Sequence, residues 1–153
     1  MSFNFPAVPK NGRIFMVIGV GRISTENQNG LSLDDQEAYY RLYLDRELGV
    51  GNYELTVVAS RGSGQILDRE EFRELQKKVD SGIYDIVIAE DLGRISRRIH
   101  AIIFCEDAED VGTRVIAIND HVDTAKENWK QASIFASFKN CLLYTSPSPR
   151  DRG

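Results

Sequence analysis

Apolar positions in this chain form short continuous runs, separated by longer stretches with helical spacing. Ile14 to Val20 is almost unbroken apolar and closes on glycine, the pattern of a strand covered on both faces. Ser32 is placed to cap a helix with Asp34 and Asp35 in its first turn, where carboxylates favour the helix dipole. That helix is expected to run to about Leu48 and stop at Gly49. Tyr53 to Ala59 predicts a second strand. Asp68 and Glu71 have capping spacing ahead of Phe72, Leu75 and Val79, a helical stripe ending at Gly82. Tyr84 to Ala89 is apolar at both parities and predicts a central strand. Ile99, Ile102, Ile103 and Val111 are expected to form the buried face of the next helix, with Gly112 as its stop. Arg114 to Ile118 predicts another strand, and from about Lys126 a last helix carries Trp129, Ala132, Phe135, Ala136 and Phe138. Strands alternating with helices predict an α/β layer fold with a largely parallel sheet.

Composition narrows this to a folded domain. The 153 residues, 42% hydrophobic and 27% charged, suit one domain with a real core. No apolar run approaches the roughly 18 residues that span a bilayer, and no signal-peptide pattern opens the chain. Cytoplasmic localisation without membrane association is therefore expected, with Cys105 and Cys141 as buried free thiols. Residues 1–12, with two prolines and no periodicity, read as a flexible leader. Residues 13–140 read as the domain. Residues 141–153 (CLLYTSPSPRDRG) break a helical pattern without a stop signal and read as a non-native tail. The net charge of −4 is unusual for a domain holding duplex DNA alone.

In an open α/β sheet, ligands bind beyond the carboxyl ends of the strands. Four segments should meet there: 22–28, 60–69, 90–98 and 119–124. They carry the hydroxyl of Ser24 and the arginines Arg22, Arg61, Arg69, Arg94 and Arg97. Guanidinium forks bind the equatorial oxygens of a phosphoryl-transfer transition state without a metal. Each residue has a plainer reading as well. Ser24-Thr25 after a strand is a common turn or helix cap, and single arginines are usually solvated. Arg94 and Arg97 share a face if a helix has begun there. Two rival chemistries draw on the same loops. Glu90, Asp91, Asp120 and Asp123 are candidates for a metal-dependent phosphohydrolase or nuclease. Ser24, His121 and Asp123 are candidates for a hydrolase triad lacking the G-x-S-x-G elbow.

Four motifs, in order, carry a family resemblance over about residues 14–140. GRISTENQNGLSLDDQ (21–36) resembles the N-terminal signature of the resolvase/invertase serine recombinases. SGQILDREEF (63–72) resembles their second arginine segment, DLGRISRR (91–98) their R-[LI]-x-R element, and VIAINDHVDT (115–124) the turn before their long helix.

The resemblance implies a three-layer resolvase-like catalytic domain, a central sheet with helices on both faces and the start of a long C-terminal helix. It makes Ser24 the nucleophile, forming a 5′-phosphoserine link and freeing a 3′-hydroxyl. Arg22, Arg69, Arg94 and Arg97 would bind the phosphate, and Gln28 and Gln36 would position Ser24 or the backbone. It implies no cofactor, DNA as partner, and dimers and tetramers in the parent protein. The residues between Gln28 and Ser32 resemble the large recombinases of phages and mobile elements. Departures from the pattern are Val20 for an aromatic residue, Ser60 for an acidic one, and Gly93 for the usual Asp before Arg94. The last leaves the proton carrier unassigned. In the family, the helix from Lys126 makes the dimer contact and leads to DNA-binding domains. Trp129, Phe135 and Phe138 are thus expected to form a dimer stripe, with missing basic domains accounting for the acidic balance. The 153-residue fragment is expected not to recombine DNA alone, and a truncated, inert interaction module is the alternative reading.

Overall fold

The structure is a computed structural model describing residues 8–22, 33–60, 69–96, 98–126, 128–132 and 134, with the side chains of Ser60, Arg69 and Arg98 outside the description. The elements are β1 (Phe15–Arg22), α1 (Leu33–Leu48), β2 (Tyr53–Ser60), α2 (Arg69–Asp80), β3 (Ile86–Ala89), a 3-10 turn (Leu92–Arg94), α3 (Arg98–Asp110), β4 (Arg114–Ala117) and β5 (Val122–Asp123). A short helical stretch follows at 129–132. The strand order is β2-β1-β3-β4-β5. The first four strands are parallel, and only β5 runs against its neighbour.

Period-two alternation divides β1 between two cores. Val17 packs toward α1 with Tyr40, Leu44, Ile86, Ile88 and Ile116. Ile18 and Val20 face the opposite side with Leu75 and Val79 of α2 and Phe104, Cys105 and Ala108 of α3. The result is three layers, with α1 on one face of the sheet and α2 and α3 on the other. On the α1 side, Gly19 and Gly21 take the positions where side chains would stand. A Cβ on Gly19 would lie 2.9 Å from the Tyr40 ring, and one on Gly21 would lie 2.9 Å from Leu33 and 3.0 Å from Gln36 Oε1. These glycines let α1 sit against the strand backbone.

Several details differ from the sequence expectation. Residues 8–12 are tied to the domain. Lys10 donates its backbone N–H to Asp85 and its ammonium to the Val111 carbonyl and Thr113 Oγ1. On α3, Ile99 and Ile103 are exposed (60% and 46%), whereas Ala101, Phe104, Cys105 and Ala108 are buried. Two apolar stripes compete on this helix, and the one with small residues faces the sheet because it permits closer packing. Trp129 is not a dimer-stripe residue. It is 4% exposed and belongs to the chain's own core. Phe135 and Phe138 lie outside the described residues. Cys105 is a buried free thiol, and burial pushes its pKa up to about 12.

Candidate active site at the switch point of the sheet

The chain leaves β1 toward β2 on one side and later returns to β3 on the other. The crevice between the carboxyl ends of β1 and β3 is therefore the topological switch point, where open α/β sheets bind ligands. Val20 is level with Ala89 across the pair. Arg22 thus ends β1 beside the segment leaving β3, which is Glu90, Asp91 and the turn to Arg94. Arg69 opens α2 and Arg97 immediately precedes α3. Ser24, Gln28, Arg61, Arg97 and the side chain of Arg69 lie outside the described residues.

Helix α1 holds the rim of this crevice. Gln36, 5% exposed, accepts the Arg22 backbone N–H on Oε1 (2.9 Å) and donates Nε2 to the Arg22 carbonyl (2.8 Å). One side-chain amide thus occupies both backbone groups of Arg22, as a neighbouring strand would. Four residues on, one helical turn along, Tyr40 donates its hydroxyl to the Val20 carbonyl at 2.6 Å. Burial first, then the nearby Glu90 carboxylate, raises the Tyr40 pKa and keeps the phenol a donor. Tyr39 donates to Asn119 Oδ1 (3.0 Å), and the Asn119 N–H donates to the Glu90 carbonyl (2.7 Å).

The expected shared helix face of Arg94 and Arg97 falls partly outside the described residues, since Arg97 is not among them, but Arg94 itself is not on α3. Arg94 ends a 3-10 turn, and α3 begins only at Arg98. The turn is stabilised from outside, since the Leu92 N–H donates to Asp120 Oδ2 at 2.9 Å. Arg94 donates Nε (3.0 Å) and Nη2 (2.7 Å) to Glu90 Oε1. Asp91 is half-buried and caps the turn by position without a side-chain hydrogen bond. Its Oδ1 lies 3.2 Å from where a Cβ on Gly93 would be. Burial raises its pKa and Asp120 adds to the effect, while Arg94 opposes it.

The carboxylates proposed for rival chemistry have other partners. Glu90 holds Arg94, and Asp120 accepts the Leu92 N–H. Asp123 receives the Arg114 guanidinium on both oxygens, at 2.8 and 2.6 Å, and also accepts the Ala125 N–H on Oδ1. No group of three His, Cys, Asp or Glu among the described residues is arranged to hold a metal. The Arg114 fork also takes from Asp123 the edge that a His121 triad would need. His121 itself sits in a turn at φ 58°. A separate cavity of about 310 Å³ lies between α1 and the β4–β5 turn, lined by Tyr39, Tyr43, Arg46, His121 and Lys126 among others.

Sequence reasoning named Glu90 only as a metal ligand and missed Tyr39, Tyr40 and Asn119. The four-residue spacing of Glu90 and Arg94 was a readable signal for an ion pair. Gly19 and Gly21 set against Tyr40 and Gln36 were a second.

A largely parallel sheet with Arg22 and Arg94 at its switch point is a framework for chemistry on phosphate esters. The model described as Resolvase, N terminal domain matches residues 17–140, so the chain belongs to the resolvase family, the serine recombinases of site-specific DNA recombination. Among solved structures, the N-terminal catalytic domain of TP901-1 integrase is 21% identical, covering 84% of this chain and 96% of that one, with a TM-score of 0.64. A resolvase family site-specific recombinase from Streptococcus pneumoniae is 20% identical, covering 85% and 91%, with a TM-score of 0.58. This likeness bears out the three-layer resolvase-like fold. No curated protein matches the chain. Among the described residues no helix is long and apolar enough to cross a membrane.

Proposed function

We propose that the switch-point crevice cuts and rejoins DNA through Ser24. The Ser24 Oγ–P bond forms as the P–O3′ bond breaks, leaving a 5′-phosphoserine link and a 3′-hydroxyl. The serine proton leaves to solvent, and the 3′-oxygen gains one. Attack by that hydroxyl on the phosphoserine reverses the step. Arg22, Arg69, Arg94 and Arg97 bind the non-bridging oxygens, where they offset the charge of the transition state. Gln36 holds the backbone two residues before the nucleophile, and Gln28 acts in the same loop.

The observation carrying this reading is the fastening of Arg22. A residue two positions before Ser24 is held through both backbone groups at the switch point, beside the segment that bears Arg94. Two residues span at most about 7 Å, so Ser24 cannot stray far from that anchor. DNA is the substrate of this site, and assembly into dimers and tetramers brings two cut duplexes together. The exposed Ile99 and Ile103 on α3 and Ile134 on the last helix support burial in such an assembly.

The test needs no knowledge of the natural target sequence. Because the 153-residue chain is not expected to act on DNA alone, it is fused to a DNA-binding domain of known target, incubated in chelator with duplexes carrying that target, and then denatured. Covalent protein–DNA adduct is expected, and Ser24→Ala should abolish it. A chelator-sensitive hydrolysis that survives Ser24→Ala would overturn the proposal.

A further inference from the structure

Glu90 is not among the residues that bring the phosphate-binding arginines into play, yet it touches one of them at close range. We propose that Glu90 is the positioning residue for Arg94, turning the far edge of its guanidinium to the scissile phosphate. The inference rests on the reading of Arg94 as a phosphate ligand.

A guanidinium offers two edges able to grip an oxyanion with paired N–H groups, Nε with Nη2 and Nη1 with Nη2. Glu90 Oε1 fills the first edge, at 3.0 and 2.7 Å. Among the described residues, the remaining guanidinium N–H groups of Arg94 have no hydrogen-bond partner, its backbone N–H being taken by the Asp91 carbonyl. The second edge is therefore the one available to phosphate.

The pair holds rather than exchanges. The side chains are only 22% and 12% exposed. Removing the arginine would leave a mostly buried Glu90 carboxylate near Asp91 and Asp120 without its cation, a costly state. Glu90 is itself fixed from behind. Its carbonyl accepts the Asn119 N–H, and Tyr39 of α1 donates to the Asn119 side chain. Helix α1 thus orients Arg94 through Asn119 and Glu90, just as it orients Arg22 through Gln36. One helix aligns both arginine segments across the crevice.

The test is a double-mutant cycle on adduct formation with Glu90→Gln, Arg94→Ala and both together. Glu90→Gln should slow cleavage at saturating DNA on the order of 100-fold, the scale of a misplaced catalytic group. The DNA concentration giving half-maximal rate should stay nearly unchanged. In the Arg94→Ala background, Glu90→Gln should add little further loss. Glu90→Asp, which keeps the charge on a shorter arm, should fall between wild type and Glu90→Gln. ¹⁵N spectra of the Arg94 Nε–H in the folded protein, read independently of activity, should show a hydrogen-bonded signal that Glu90→Gln shifts. Full cleavage by Glu90→Gln while Arg94→Ala is crippled would overturn this inference alone. An additive loss in the double variant would do the same, as would a loss explained by weakened DNA affinity. Undiminished cleavage by Arg94→Ala, or no adduct with wild type, would sink the underlying site assignment as well.

Discussion

Gln36 shows how a single side chain can carry a site's geometry. Its amide meets both backbone groups of Arg22 from a helix that begins eleven residues later, at Leu33. Gln36→Leu keeps the volume and deletes both bonds, leaving a half-buried N–H and C=O unmet. The expected cost is roughly 2–3 kcal/mol in chemical denaturation, with a larger fall in cleavage rate than in DNA affinity. Equal cleavage by wild type and variant would argue against the anchoring role. Asp91 behaves in the opposite sense. Its pKa is raised in the fold, so its contribution to stability is present below the ordinary carboxylate range and is lost as pH rises through the raised value. At neutral pH its ionised form is a burden. Asp91→Asn should therefore be more stable than wild type at pH 7, with the difference shrinking toward pH 3. Denaturation midpoints across pH test this, and a variant less stable than wild type at pH 7 would contradict it.

At the scale of elements, the close packing of α1 on β1 depends on Gly19. A methyl there would meet the Tyr40 ring at 2.9 Å. Gly19→Ala should cost about 1–3 kcal/mol by overpacking and loosen the Tyr40–Val20 bond. An unchanged denaturation midpoint would show that α1 can retreat without loss. Elements set by local pattern were legible in the sequence. The apolar runs of β1, β3 and β4 and the glycine stops of the three helices all stand in the fold. What depended on distant partners was not legible. The last residue of β1, Arg22, is held by Gln36, fourteen residues on. The 3-10 turn that separates Arg94 from α3 depends on Asp120, twenty-eight residues past Leu92. The buried face of α3 was read only in part: Ile102 and Val111 pack against the core, whereas Ile99 and Ile103 do not, because two stripes of helical period overlap and only packing against the sheet chooses between them. At the site, residue types and order were readable, whereas the Glu90–Arg94 geometry and the α1 anchors required the fold.

At the scale of the whole molecule, the acidic net charge of −4 and the exposed isoleucines of α3 bear on assembly. If Ile99 and Ile103 are covered by another copy, Ile103→Asp should weaken self-association in sedimentation while leaving monomer stability nearly unchanged, because the side chain is 46% exposed. Identical association by wild type and variant would place the contact elsewhere. Chemistry on Ser24 is read at the residue itself by finding where the DNA becomes attached. Protein–DNA adduct formed in chelator is digested with nuclease and protease, and the peptides are read by mass spectrometry. The expected product is a nucleotide joined through its 5′-phosphate to Ser24. Adduct on any other residue, or cleaved DNA with no protein attached, would contradict it.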